Sequence, residues 1–293
     1  MASTDHRNAD VPLAPEKGLL LDFLHRGRAS RWGSDARAWD AAAAGRTLAR
    51  IAPLFGAHGY FPLDARGFEH VPAAPTMLVS NHSGGTTIPD AWGFLFAWYR
   101  HFGTARPVHV LVHEMILATD VTGRYFSERG ALRASGTAAR EAIAGFGRDV
   151  LVMPGGDIDT WRPWTRRYQV EFAGRTGYAR TALELGVPIV PVAHAGAHST
   201  LFVITDGRAI ARVMGLARIA RAHVWPVHLS LPWGLAIGPW PHFPLPAKLR
   251  YRLGAPIVPR ACGGRPTDDD VRELDARVRA AVQSMLDGLA RGE

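Results

Sequence analysis

Cysteine is almost missing from this 293-residue chain: Cys262 is the only one. That excludes a disulfide framework and a cysteine-built zinc site. Lysine is nearly as scarce, since Lys17 and Lys248 are the only exceptions to arginine among 34 basic residues. No window holds the ~18 uninterrupted apolar residues of a membrane-spanning helix. The N-terminal stretch up to Gly18 is polar and lacks the apolar core of a secretion signal. Only 20% of residues are charged and no run of five like charges occurs, which excludes a disordered composition and a nucleic-acid-binding tail. These absences make a reducing, cytoplasmic location the expectation.

What is present is 47% apolar residues and a net charge of +8. The length allows one large domain or two small ones, either with a sizeable core. The excess of arginine suits an anionic partner: nucleic acid, anionic lipid or a phosphorylated substrate.

Residues 1–30 read as a loosely ordered leader in which Leu19–Leu24 could dock as a helical turn or two. A helix is expected over residues 38–55, from the spacing of Trp39, Ala43, Leu48, Ile51, Leu54 and Phe55. Short apolar runs then mark four strands, over 76–80, 108–112, 149–153 and 187–192. Helix-length stretches separate them, over 90–102, 137–146 and 177–185, the last ending at Gly186 as a C-cap. A final helix starts at Thr267, with Asp268, Asp269 and Asp270 in its first turn and a stripe of Val271, Leu274, Val278, Val282, Met285 and Leu289. Strands that are continuously apolar and alternate with helices predict an α/β fold. Its central sheet should be mainly parallel and flanked by helices, with further helices at the N-terminus, and residues 31–293 should form one domain.

Two turns follow strands, where parallel sheets bind ligands. The first is Ser80-Asn81-His82-Ser83-Gly84-Gly85-Thr86-Thr87-Ile88-Pro89-Asp90. A histidine there can act as general base, a carboxylate at the next helix start can orient it, and Gly84 and Gly85 permit a sharp turn. The plainer alternative is a polar turn with Asp90 as an N-cap. The second is Pro154-Gly155-Gly156-Asp157-Ile158-Asp159-Thr160-Trp161-Arg162-Pro163. Its glycine N–H groups could hold a phosphate or an oxyanion, and Arg162 could pair with phosphate. The alternative is a tight turn with a solvated arginine. Arg133, in Gly130-Ala131-Leu132-Arg133-Ala134-Ser135, is either a second anion contact or part of a solvated loop.

The ordered set of these stretches, followed by Phe172-Ala173-Gly174-Arg175-Thr176-Gly177 and Val187-Pro188-Ile189-Val190-Pro191-Val192, resembles the glycerolipid acyltransferase family of the lysophosphatidic-acid acyltransferase type. The likeness runs over about residues 50–260. It implies that His82 deprotonates an acceptor hydroxyl, which attacks an acyl thioester. The family's acid usually follows after four intervening residues, but Thr87 stands there. Asp90, with seven between, is the next carboxylate, and members with the NHSGG form share this spacing. The family's Pro-Glu-Gly turn is here Pro154-Gly155-Gly156, without the glutamate, and Ile158 occupies the place of its arginine. The implied site is His82 and Asp90 as the catalytic pair. Asn81, Gly84, Gly85, Arg133, Gly155, Gly156 and Arg162 would contact substrate or phosphate.

The pairs His109/His113 and His194/His198 have the spacing of helical metal ligands, but the first falls on or just after a strand and the second follows the fourth strand into a loop containing Gly196, so both are read as core or site-rim histidines. No HExxH occurs, since Met115-Ile116-Leu117 follows His113-Glu114, and no GxSxG elbow is present. Residues 224–246 contain no charged side chain, six prolines, and Trp225, Trp233 and Trp240. They suit a membrane interface or acyl-chain channel, or else buried strands and turns. The aromatic stretch after Asp90 is either core or lipid entrance, with Arg100 and Arg106 favouring anionic headgroups.

The expected activity is therefore O-acyl transfer from acyl-CoA or acyl carrier protein to a lipid hydroxyl, in lipid biosynthesis. It would use no metal or bound cofactor and take place peripherally on the inner face of a membrane, without nucleic acid. A thioester or ester hydrolase and a non-catalytic lipid-binding protein are the alternatives.

Overall fold

The computed structural model describes residues 30–73, 75–219, 222–260 and 265–292. The expected leader (apart from Ser30), its Leu19–Leu24 patch and Cys262 lie outside the described residues. The strands are β1 (Leu63–Arg66), β2 (Met77–Ser80), β3 (Val108–Val112), β4 (Ala131–Arg133), β5 (Asp149–Val152), β6 (Ile189–Ala195), β7 (Phe202–Thr205), β8 (Val227–Ser230), β9 (Gly234–Ile237) and β10 (Leu249–Leu253). The helices are α1 (Ala41–Phe55), α2 (Pro89–Phe102), α3 (Asp120–Ser127), α4 (Gly136–Arg140), α5 (Gly156–Thr160), α6 (Gly177–Leu185), α7 (Arg208–Val213), α8 (Leu216–Ile219) and α9 (Asp268–Arg291).

The apolar runs become the middle of a seven-stranded sheet of order β1-β10-β6-β2-β5-β3-β4. Every residue of β2, β5 and β6 is buried, as continuous apolar strands covered on both faces require. All neighbouring pairs are parallel except β10 with β6. Side chains alternate across the sheet. Met77 and Val79 join the core formed with α4, α6 and α9. Leu78, between them, joins the opposite core, with Phe55 of α1 and Phe94, Trp98 and Tyr99 of α2. The sheet is thus sandwiched between two helical layers.

Local chemistry sets the helix ends. Asp40 accepts from the N–H groups of Ala42 and Ala43 at the start of α1. Thr267 and Asp270 form a reciprocal capping box on α9. Gly186 adopts the left-handed conformation after α6. The helix expected over 137–146 begins as α4 but continues through Glu141–Gly145 with π-helical winding. The strand expected over 187–192 runs instead from Ile189 to Ala195. Hence His194 lies inside β6, not in the loop.

The structure decides one open reading and corrects another. The aromatic residues of α2 are core, not a lipid entrance: Phe94, Trp98 and Tyr99 are buried, and Trp92, Leu95 and Phe96 pack against them. Arg106 is no headgroup contact. Its guanidinium bonds Asp149 at 2.7 and 3.1 Å and donates to Pro72 O at 2.7 Å. The charge-free stretch after Val224 builds much of a second, antiparallel sheet of order β7-β8-β9.

Candidate active site

β2 lies between β5 and β6, and its chain continues on one side to α2 while β5 continues on the other to β6. The turns after β2 and β5 therefore meet at one end of the sheet, at a topological switch point. After Asn81 the chain turns through Gly84 at φ 101° and Gly85 at φ 69°. A Cβ on Gly84 would lie 2.8 Å from the Pro89 ring, and one on Gly85 would lie 2.8 Å from Leu201 and 3.0 Å from His242, so both positions need glycine. A single 3-10 turn, Gly85–Thr87, follows. Ile88 then adopts the left-handed conformation at φ 42°, a strained state for a β-branched residue. Pro89 starts α2. This inserted turn takes up the long spacing: His82 Nδ1 lies 2.5 Å from Asp90 Oδ2.

Asp90 is fully buried, whereas the His82 side chain keeps 14% of its surface. The carboxylate also accepts the Ser83 N–H at 3.0 Å. Burial by itself would raise the Asp90 carboxyl. The charge and bond of His82, the nearby His194 and the Ser83 N–H outweigh it and hold the group below the ordinary carboxylate value. A carboxylate on Nδ1 selects the tautomer with the proton on that nitrogen and leaves Nε2 as a base. Among the described residues no group bonds Nε2 of His82.

Three residues outside the expected set complete the site. Asp159, in α5, accepts the His82 backbone N–H at 2.5 Å and the Glu171 N–H at 3.2 Å, and it pairs with Arg162. His194, on β6, places Nε2 2.8 Å from Ser83 Oγ and 3.6 Å from Asp90 Oδ2. Burial pushes this imidazole down to about 4, so it is neutral at physiological pH. Tyr251, on β10, donates its hydroxyl to the Asp90 carbonyl at 2.8 Å. Position in the chain gave no signal for Asp159 or Tyr251. His194 carried one, as half of a histidine pair, and its partner His198 lines the pocket beside the catalytic turn.

The remaining expected contacts divide. Arg162 lines that pocket together with Ser83, Gly84 and Gly85. It is buried, pairs with Asp159, donates to Arg167 O at 3.2 Å, and has an Nε without a partner. The structure does not place Asn81 as a substrate contact. Its amide donates to His194 O and accepts from His194 N, both at 2.9 Å, because it pins β2 to β6. Arg133 donates to the carbonyls of Ser30 at 2.7 Å and Trp32 at 3.4 Å, so it anchors the chain entering the fold. The Gly156 N–H is not open to an anion, since it bonds Met153 O at 3.1 Å, and both glycines are closely packed. A Cβ on Gly155 would collide with Asp159 and Glu171 O, and one on Gly156 with the Arg175 guanidinium. That guanidinium already bonds Gly155 O at 3.0 Å and Asp157 at 2.8 Å.

A family model described as Acyltransferase matches residues 63–195, from the first residue of β1 to the last of β6. This segment is similar to the acyltransferase family. His82, Asp90, Asp159, Arg162 and His194 all fall inside it. Among curated proteins, an uncharacterised protein of Mycobacterium tuberculosis H37Rv is 28% identical over 237 residues, covering 80% of this chain and 63% of its own length. One of Mycobacterium leprae is 27% identical over 237 residues, covering 80% and 61%. The match thus spans less than two thirds of the length of these relatives. Among solved structures, the 1-acyl-sn-glycerophosphate acyltransferase PlsC of Thermotoga maritima aligns over 92% of this chain and 87% of its own, at 18% identity and a TM-score of 0.47.

Proposed function

We propose that the protein transfers a fatty acyl group from the thioester of acyl-CoA or acyl carrier protein to a hydroxyl of a lysophospholipid or related glycerolipid. The observation that carries this reading is the His82–Asp90 pair at 2.5 Å, with Nε2 of His82 left unbonded in a segment that matches an acyltransferase family model. Nε2 takes the proton of the acceptor hydroxyl as its oxygen attacks the thioester carbonyl. Asp90 stabilises the imidazolium. The C–S bond then breaks, and the thiol leaves with the proton returned by His82. The buried guanidinium of Arg162, with its unpartnered Nε, is the positive group available to a phosphate or to the oxyanion. The thioester is a co-substrate, and this chemistry calls for no metal or prosthetic group. A lipid acceptor also calls for contact with a lipid surface, made peripherally. Among the described residues no helix is long and apolar enough to cross a membrane.

The test is transfer of radiolabelled acyl groups from acyl-CoA or acyl carrier protein to a panel of lysolipids. Wild type is compared with His82→Ala and Asp90→Asn. Labelled lipid from wild type, reduced about 100-fold or more in both variants, supports the reading. Free fatty acid released without any acceptor would replace it with hydrolysis. Lipid binding without turnover, unaffected by His82→Ala, would replace it with a binding role.

A further inference from the structure

The outward face of a solvated antiparallel sheet is normally polar. That of β7-β8-β9 is not. Phe202, Leu229 and Leu235 stand in one cross-strand row, and Ile237 lies opposite Val227 in the next. Phe202, Ile204, Leu229, Leu235 and Ile237 are all exposed. Beyond the strands, Trp233 and Phe243 stack at 5.2 Å with about half or more of each ring in solvent. Of the eighteen large hydrophobic side chains exposed among the described residues, thirteen fall between Phe202 and Leu245. So concentrated an apolar patch marks an interaction surface.

Charge identifies the occupant. Residues 207–267 carry nine basic side chains and no acidic one, while the whole chain has a net charge of +8, so the remainder is close to neutral. Arg212 on α7, Arg218 on α8 and Lys248 beside Leu249 are exposed, and among the described residues none of the three makes an ion pair. An apolar face with tryptophan and with cations close by in the chain, whose neighbouring carboxylate Asp206 is buried and paired with Arg166 and Arg208, is complementary to a bilayer bearing anionic headgroups. A second copy of the chain would bring the same positive field against itself. The same sheet borders the catalytic pocket with its inner face. Val203, pointing inward from β7 between Phe202 and Ile204, lines that pocket with Gly85. Thr86 of the catalytic turn bonds Pro239 O at 3.0 Å and His242 Nε2 at 3.1 Å, both in the segment after β9.

We propose that the outward face of the β7-β8-β9 sheet, with its adjoining arginines, is the surface by which the protein lies on an anionic lipid bilayer. The proposal rests on the reading of a lipid acceptor, but it is tested by binding, independently of turnover. The full chain is floated with vesicles of phosphatidylglycerol and phosphatidylcholine, and with phosphatidylcholine alone. Wild type should bind the anionic vesicles at least tenfold more tightly. Leu235→Ser combined with Ile237→Ser should weaken that binding tenfold or more. Val121→Ser, an exposed apolar position on α3, should leave it unchanged. Arg212→Gln and Arg218→Gln should each cost about fivefold at low salt, the equivalent of ~1 kcal/mol per cation at an anionic surface. Circular dichroism of each variant checks that it is folded. Equal binding by the Leu235/Ile237 variant and wild type overturns the proposal, as does no binding by wild type. So does a wild-type dimer, seen by light scattering, that this variant dissociates, since a second copy then covers the face. Binding through this face by a protein that transfers no acyl group would leave the surface standing and remove only the acyltransferase reading.

Discussion

Thr86 donates its backbone N–H to Nε2 of His242 at 3.1 Å. The turn that sets the distance between His82 and Asp90 is therefore held by a residue 156 positions later, in the segment that follows β9. The bond requires a neutral imidazole with Nε2 unprotonated. Burial, reinforced by the neighbouring His228, pushes His242 down to about 4 and keeps it so.

His242→Phe removes that acceptor and leaves the Thr86 N–H without a partner. A loss of about 1–3 kcal/mol in stability is expected, with a lower kcat because the inserted turn no longer holds Asp90 on Nδ1 of His82. His242→Gln offers an amide oxygen and should recover part of both. Urea unfolding together with kcat on the two variants checks this. An unchanged kcat in His242→Phe would show that the turn holds its shape unaided.

Stability should fall as pH drops from about 6.5 to about 4. Burial holds His109, His194 and His242 down to about 4 and His198 to about 3. In the unfolded chain these groups take up protons near 6.5. Through this window the unfolded state binds more protons than the native one, so acid favours unfolding. Asp90 adds a second, lower window. Its native value is depressed, so its contribution is complete above the ordinary carboxylate value and disappears as pH falls through the depressed one. The unfolding free energy measured against pH should carry a slope of several protons between 6.5 and 4, and His194→Gln should remove about one. A flat profile there would contradict the burial of neutral imidazoles.

Breaking the Arg106–Asp149 pair should cost stability, not catalysis. Asp149 is buried, and besides Arg106 it accepts from Thr76 N at 2.9 Å. Asp149→Ala leaves a half-buried guanidinium without its anion, at about 3 kcal/mol. Thermal melting should show the loss, while kcat per folded molecule stays near wild type. A raised KM for anionic lipid with no change in melting would instead return Arg106 to a headgroup role.

Asn81→Ala should behave the same way, since both amide bonds to His194 are buried. A destabilisation of about 2 kcal/mol is expected, with KM for the acceptor unchanged. Comparing KM at a temperature where the variant is folded separates this from a substrate contact.

The apolar runs that became β2, β3 and β5 were legible because strands in the middle of a covered sheet are mostly apolar, each with one polar residue at most. α9 was legible from its cap and its stripe. The strands β1, β4, β7 and β10 were not anticipated, and β8 and β9 only as unplaced strands in one reading of residues 224–246. β4 is only three residues long, and β10 alternates buried and half-exposed positions, with Arg250 and Arg252 between apolar residues. Neither forms a continuous run. Asn81, Arg106 and Arg133 were assigned to ligands because polar side chains near a site look alike in a sequence, whether their partner is a substrate or a backbone carbonyl.

The sequence by itself determined what depends on near neighbours: the central strands, the helix caps, and a histidine and an aspartate close enough along the chain to meet. Only the tertiary structure decided who faces whom. Asp159 reaches the His82 N–H, His194 lies beside Asp90, and His242 holds Thr86 because strand order and register bring together residues 77, 104 and 156 positions apart. Those placements also decide which arginine charges are already consumed inside the fold and which remain exposed. The physical reason is that caps and periodicity act over a turn or two of chain. Sheet order follows from burying both faces at once, a condition on the whole chain that no local spacing contains.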